Sequence, residues 1–267
     1  MSKSTVNVSA LFQSAKKDGT LSAASLQALS VPDLGAQIQA GLGVTAENVQ
    51  ASEVTLVTMM PDDSGSMRFA GNSQAVRDGH NLVIDALKDT RKTTRDSILV
   101  HNRYLNGDVL YPYSNLDQVP NMDTHNYDPN LGTPLYDQTV VLLGTVLAKA
   151  QEFVDAGVPV RTCTLIMTDG ADLHSVRAKA HTVKKLVEDM LKEETHIIAA
   201  MGFDDGGQTD FRRVFREMGI RDEWILTPSK TPSEIRKAFQ MFSRSAVRAS
   251  QNAGSFSQTA AGGFGTP

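Results

Sequence analysis

The chain has 267 residues, enough to bury one sizeable core, and its make-up is ordinary at 40% apolar and 21% charged residues. A formal net charge of −4 argues against a nucleic-acid partner, which needs clustered Lys and Arg. The single cysteine, Cys163, rules out an internal disulfide; in its run Thr162-Cys163-Thr164-Leu165-Ile166-Met167 it reads as a small buried hydrophobe rather than a reactive thiol.

Met1-Ser2-Lys3-Ser4-Thr5-Val6-Asn7 lacks the apolar core of a signal peptide. No stretch approaches the roughly 18 apolar residues of a membrane span. With no disulfide, the expectation is a soluble cytoplasmic protein that engages neither membrane nor nucleic acid.

Residues 1–50 are rich in Ser, Ala, Gln and Gly and read as a helical amino-terminal extension. Val31, Leu34, Ile38 and Leu42 recur at helical spacing, with Ser30 as N-cap and Pro32 in the first turn. Lys17-Asp18-Gly19-Thr20-Leu21 is similar to the middle of an EF-hand loop. In that alignment Ser14, Lys16 and Ser25 fall on ligand positions and the bidentate Glu is missing, so the reading is rejected.

Residues 51–248 alternate strands and helices. Val54-Thr55-Leu56-Val57-Thr58-Met59-Met60 is apolar or β-branched throughout, as a strand covered on both faces requires. A helix follows on Ala75, Val76, Gly79, Leu82, Val83, Ala86 and Leu87. Ser97–Leu105 reads as a strand, Asn106-Gly107 as a hairpin turn and Asp108–Tyr111 as the antiparallel return. A polar loop is expected from about Pro112 to Gly132. Gly132-Thr133-Pro134-Leu135 closes it and opens a long helix that buries Leu135, Thr139, Leu142, Leu143, Val146, Ala150, Phe153 and Val154.

The next strand, about Arg161–Thr168, ends in Thr168-Asp169-Gly170. Val176, Ala180, Val183, Val187, Met190 and Leu191 mark a helix. His196–Phe203 is a third apolar strand, and Asp204-Asp205-Gly206-Gly207 is its exit. A short helix carries Phe211, Val214, Phe215 and Met218, and Glu223–Thr227 is a last short strand. Thr231-Pro232-Ser233-Glu234 starts a final helix that buries Ile235, Ala238, Phe239, Phe242 and Ala246. Residues 249–267 read as a flexible Ser/Ala/Gly tail. The fold class is therefore α/β: a doubly wound, mostly parallel sheet with one antiparallel edge strand and helices on both faces. Asp62, Asp169 and Asp204 all follow strands, on the rim where such sheets bind ligands.

After the first strand, Pro61-Asp62-Asp63-Ser64-Gly65-Ser66-Met67 sets a carboxylate and two hydroxyls at alternate positions of a tight turn. Small oxygen donors suit a hard divalent cation. This Asp-x-Ser-x-Ser pattern at a strand end, with Thr133 ahead of a helix and Asp169 at a later strand end, resembles the metal-ion-dependent adhesion site of von Willebrand factor A domains. The resemblance covers about residues 50–248, and among family members the intracellular prokaryotic type fits best. It implies that Ser64 and Ser66 bind Mg²⁺ directly, with Mn²⁺ or Ca²⁺ as alternatives. Thr133 would bind in the engaged state, and Asp62 and Asp169 directly or through waters. It further implies a protein partner that presents an Asp or Glu to the metal; family members also couple the site to the last helix, whereas residues 235–247 here read as a fixed amphipathic helix. Relatives in this bacterial group work beside AAA+ ATPases of the MoxR type or in stress-resistance clusters.

Read singly, Asp62, Ser64 and Ser66 are common turn residues, Thr133 an N-cap and Asp169-Gly170 a turn. Asp63, Asp123, Asp128, Asp172, Asp204, Asp205 and Asp210 add a presumed acidic rim. Such a rim would gate an acidic ligand by the metal and favour a partner with Lys or Arg around its carboxylate; the alternative is ordinary loop aspartates. An enzyme is not expected. The histidines show no His-Glu-x-x-His spacing, and there is neither a phosphate-binding glycine loop nor a nucleophile elbow. The alternatives to a docking module are a homomeric assembly joined through its terminal arms and a Mg²⁺-dependent hydrolase.

Overall fold

Val54–Met60 is buried at every position and forms β1 near the middle of a six-stranded sheet. The computed structural model describes residues 6–31, 33–69, 71–91, 97–229, 231–251 and 262–264. The other strands are β2 (Ser97–Arg103), β3 (Val109–Asn115), β4 (Val160–Thr168), β5 (His196–Gly202) and β6 (Ile225–Leu226). Their order is β3-β2-β1-β4-β5-β6, with only the β2–β3 pair antiparallel. The fold class expected from the sequence is the one observed.

The helices are α1 (Val8–Lys17), α2 (Ala23–Leu29), α3 (Leu34–Leu42), α4 (Asn72–Arg91), α5 (Leu135–Asp155), α6 (Ala180–Met190), α7 (Phe211–Glu217) and α8 (Pro232–Gln251). Helices α4 and α8 pack together, and α8 contacts β1 and β4; α5 contacts the same two strands and α6. β2 and β4 flank β1, so the chain winds one way from β1 and then crosses to its other side. The resulting crevice at the carboxyl ends of β1 and β4 is where doubly wound sheets hold ligands.

The β2–β3 turn is a hairpin in which Tyr104 N–H donates to the Asp108 carbonyl, and Gly107 supplies the left-handed residue at φ 106°. β3 runs on to Asn115, so the polar loop starts later than Pro112. Tyr113 faces inward there, and its hydroxyl lies 2.6 Å from that of Thr58. Helix α5 is buried on nearly every side because α1 and α3 cover the flank turned away from the sheet. Even Lys149 is fully buried, paired with Glu152 at 3.0 Å. Val154 departs from expectation at 49% exposed.

Four further details differ from the sequence reading. Val176 is 86% exposed and precedes its helix, because the Asp137 carboxylate accepts the backbone N–H groups of Val176, Arg177 and Ala178 and holds them out of helical geometry. Ser30 closes α2 through the Leu26 carbonyl, and Asp33 occupies the N-cap position of α3; Pro32 lies outside the described residues. The last strand shrinks to Ile225–Leu226 behind a 3₁₀ turn at Asp222–Trp224. Ala249 and Ser250 belong to α8 and are buried, and Gly262–Phe264 packs on the body, while the rest of the expected tail, 252–261 and 265–267, lies outside the described residues. Among the described residues no helix is long and apolar enough to cross a membrane.

Gly79 on α4 faces Phe239 on α8, and a Cβ there would lie 2.2 Å from the ring. Gly79→Ala should therefore destabilise by about 1–3 kcal/mol despite a helix-propensity gain near 1 kcal/mol, as urea denaturation would show. An unchanged midpoint would contradict so close an α4–α8 contact.

His80, His101 and His196 are buried, which pushes their pKa values down to about 4, 3 and 4. The His101 Nδ1–H donates to the Tyr111 carbonyl at 2.8 Å. An unfolded chain protonates such rings below about pH 6.5. Their contribution to stability is therefore intact above that pH and lost as pH falls toward the folded values. Their imidazole resonances should still report neutral rings at pH 5.5; a titration centred above 6 in any of them would refute this.

Candidate metal centre

Asp62 follows β1 and Asp169 follows β4, and parallel pairing of these neighbouring strands, with Met60 opposite Ile166, brings the two exits side by side. Thr168, the last residue of β4, donates its hydroxyl to Asp62 Oδ2 at 2.7 Å. The other oxygen, Oδ1, accepts the Ser64 N–H at 2.7 Å and so shapes the turn. The Ser64 and Ser66 hydroxyls then lie 3.0 Å apart, and Ser66 donates to Asp169 Oδ1 at 2.7 Å. The structure thus brings Asp62, Ser64, Ser66 and Asp169 into one hydrogen-bonded chain.

Thr133 reaches the same rim by another route. Ser64 forms a parallel bridge with Leu131, and Gly65 N–H donates to the Leu131 carbonyl at 3.1 Å. The Asp63 carbonyl accepts from both Asn130 and Leu131. Two residues on, Thr133 is held by its backbone: its N–H donates to His174 Nδ1 at 2.8 Å, and its carbonyl accepts from Leu173 and His174. Among the described residues no hydrogen bond engages its hydroxyl. A Cβ at Gly132 would sit 3.0 Å from the His174 ring, so the glycine before Thr133 leaves room for that imidazole.

Two residues outside the expected metal set secure this arrangement: Tyr127, which sequence reasoning missed, and His174, which near Asp169 and Asp172 in the sequence reads only as a solvated loop histidine. Tyr127, buried in the long loop, donates its hydroxyl to the Asp62 carbonyl at 2.5 Å and so ties that loop to the turn. His174 uses Nδ1 as an acceptor, which places its proton on Nε2. A buried tyrosine in a polar loop was a visible signal, because such a hydroxyl must find a partner. The His174 contact, from one loop to another, left no local trace.

The electrostatics are lopsided. Burial raises the Asp62 carboxyl, opposed by hydrogen bonds from Ser64 and Thr168. Burial raises Asp63 to about 7, with repulsion from Asp62 adding to it, and Asp169 to about 6, again with Asp62 contributing. Among the described residues no Lys or Arg forms an ion pair with any of the three. Crowded, buried carboxylates with no positive neighbour fit a bound cation, which would stabilise their charged forms. Among the described residues no group of three His, Cys, Asp or Glu is placed to hold a metal, so a cation here must draw on hydroxyl oxygens as well. The residues present fit a hard divalent ion and not a thiophilic one.

The acidic rim resolves into local duties. Asp63 Oδ1 accepts the Asn106 N–H from the β2–β3 turn, and Asp123 accepts from His125 and Asn126. Asp128 pairs with Arg68, and Asp172 accepts from Tyr136 and Ser175. Asp204 and Asp205 bond their own loop, and Asp210 caps α7. The surface around the site is instead marked by apolar side chains: Phe69, Leu131 and Leu173 are 73%, 49% and 76% exposed. Each is tied by its backbone to a site residue, Phe69 N–H to the Ser66 carbonyl, Leu131 to Gly65 and Asp63, and Leu173 N–H to the Thr133 carbonyl.

No family model matches this sequence, and no curated protein does either. Solved structures with a similar fold include the vWF domain of the type V pili tip protein Mfa5 from Porphyromonas gingivalis, at 10% identity and TM-score 0.52, covering 76% of this chain and 98% of that one. The pilus adhesin SpaC from Lactobacillus rhamnosus GG, open conformation, is similar at 12% identity and TM-score 0.52 over 76% of this chain and 31% of that one. Proximal thread matrix protein 1 from the mussel byssus, with a zinc-occupied MIDAS motif, matches at 15% identity and TM-score 0.45 over 74% and 46%. The chain thus spans about half or less of the length of the mussel protein and of SpaC. At these identities the likeness establishes the fold: this is a von Willebrand factor A fold.

Asp63 supplies an acceptor to Asn106 but carries an unwanted buried charge beside Asp62. In chelator-treated protein, Asp63→Ala should cost about 1–3 kcal/mol by orphaning that N–H, whereas Asp63→Asn should be neutral or stabilising. Equal loss in both variants by chemical denaturation would contradict this assignment.

Proposed function

We propose that this chain is a docking module in which a divalent cation, Mg²⁺ by the oxygen-only donor set, captures a carboxylate from a protein partner. Ser64 and Ser66 would hold the ion through their hydroxyls and Thr133 would join them. Asp62 and Asp169 would orient those groups and balance the charge. The observation that carries the reading is the Ser64–Ser66–Asp169 chain built on a buried Asp62 with no basic partner. Bound there, the cation supplies an electrophilic position for an incoming anion, since neutral hydroxyl ligands leave it electron-poor.

The exposed collar of Phe69, Leu131 and Leu173 favours a partner whose acid group is flanked by apolar side chains. Lys or Arg on the partner would complement the rim aspartates, which keep their charge while accepting local N–H groups. A hydrolytic role gains no support from His174, whose Nδ1 is taken by the Thr133 N–H. The described terminal segments lie against the chain's own body: α1 and α3 on α5, and Phe264 on Trp224. That arrangement speaks for a self-contained module rather than one assembled through reaching arms.

Calorimetric titration with Mg²⁺ and Mn²⁺ should show one site, weakened by about ten-fold or more in Ser66→Ala and Asp169→Ala. Selection of random dodecapeptides on the metal-loaded protein should return Asp or Glu between apolar residues, and EDTA should release them. Equal metal affinity in wild type and Asp169→Ala, or peptides retained in EDTA, would overturn the proposal.

A further inference from the structure

Beside the start of β6, at the edge of the sheet, a short piece of the carboxyl-terminal tail is seated in a formed groove. The Phe264 N–H donates to the Glu223 carbonyl at 2.9 Å. Its ring meets Trp224 edge-on, with centroids 5.1 Å apart at 75°. Phe264 is 9% exposed and Trp224 is buried. Behind the ring, the carboxyl-terminal halves of α4 and α8 frame a cavity of about 600 Å³, with Ala86, Thr90, Met241 and Val247 in its walls. Helix α4 starts at Asn72, just after the metal-site turn, and at 1.5 Å per residue Thr90 lies about 25 Å further along it.

The seating is selective. Gly263 sits at φ 81°, and a Cβ there would fall 2.4 Å from the Glu223 Cβ and 2.6 Å from its carbonyl oxygen. Gly262 also has a positive φ, at 65°. A side chain at position 263 would meet backbone as well as the adjoining side chain, and neither the strain nor the clash has an easy escape. The groove therefore distinguishes Gly-Gly-Phe from the tail's other phenylalanine, Phe256, which follows Gly254-Ser255.

We infer that this groove is a peptide-binding site that reads a Gly-Gly-Phe segment and is occupied in cis by Gly262-Gly263-Phe264. A three-residue segment held by backbone hydrogen bonding, an aromatic contact and a close glycine approach makes a weak site by itself. A short tether, however, supplies the segment at an effective concentration on the order of millimolar, so weak contacts suffice for occupancy while leaving it exchangeable. Phe264 then acts as a removable cover over Trp224 and one wall of the α4–α8 cavity, and the groove would accept the same sequence presented in trans.

Trp224 is the only tryptophan, so its fluorescence reads the groove directly. In the 267-residue chain, Phe264→Ala should raise the acrylamide quenching constant about two-fold or more, and Phe256→Ala should leave it unchanged. Adding the synthetic peptide Ala-Gly-Gly-Phe-Gly-Thr-Pro, residues 261–267, to Phe264→Ala protein should restore protection. The same peptide carrying Gly263→Ala should not. With circular dichroism showing a folded variant, wild-type quenching in Phe264→Ala or no protection by the peptide would overturn the inference. Equal protection by the Gly263→Ala peptide would overturn the glycine reading. A wild-type dimer that becomes monomeric on Phe264→Ala would overturn occupancy in cis and assign the segment to a second copy.

Discussion

Asp62 is fully buried at the end of the central strand, with hydrogen bonds to both carboxylate oxygens and no cation paired to it among the described residues. Burying a charge in this way is costly unless something offsets it. The surrounding structure supplies donors rather than a counter-charge: the Thr168 hydroxyl and the Ser64 N–H on the carboxylate, with the Tyr127 hydroxyl on the residue's own carbonyl. Each donor belongs to a different segment. Satisfying Asp62 therefore forces the end of β4, the Ser64–Ser66 turn and the long loop before α5 to converge.

That convergence gives the polar loop its purpose. It is pinned at Tyr127, at Asn130 and Leu131 on the Asp63 carbonyl, and at Thr133 through His174. The acceptor that Asp63 offers to Asn106 ties in the β2–β3 turn as well. The extra aspartate beside Asp62, which looks like surplus charge in the turn, is a structural brace between three segments. Its raised pKa follows chiefly from burial, with repulsion from Asp62 adding to it.

The strand exits and the β6 edge of the sheet differ in character. At the carboxyl ends of the strands, hydroxyls and carboxylates converge, with Phe69, Leu131 and Leu173 exposed on the adjoining turns. At the β6 edge, an aromatic pair and a close glycine contact seat the tail against Glu223 and Trp224. The amino-terminal helices pack elsewhere, on α5. Through α1 and α3 they seal the outer flank of α5, which makes an otherwise amphipathic helix buried nearly all round, Lys149 included.

Fold class and element order were legible because period and punctuation are local: β1, β4 and β5 are unbroken apolar runs, and Asn106-Gly107 marks its own hairpin. The turn residues Asp62, Ser64 and Ser66 were legible as oxygen donors in one short segment, and strand alternation placed Asp169 on the same rim. Side-chain capture across the chain was not legible. Asp137 holding Val176–Ala178 out of a helix, His174 accepting from Thr133, Tyr127 reaching Asp62 and Phe264 finding Trp224 are contacts between residues tens of positions apart. Local propensity says nothing of such partners. By itself the sequence determined which segments become strands and helices and which donors stand at their ends. The tertiary structure alone decided which of those donors meet, because hydrogen bonds between loops are set by strand order and register rather than by spacing along the chain.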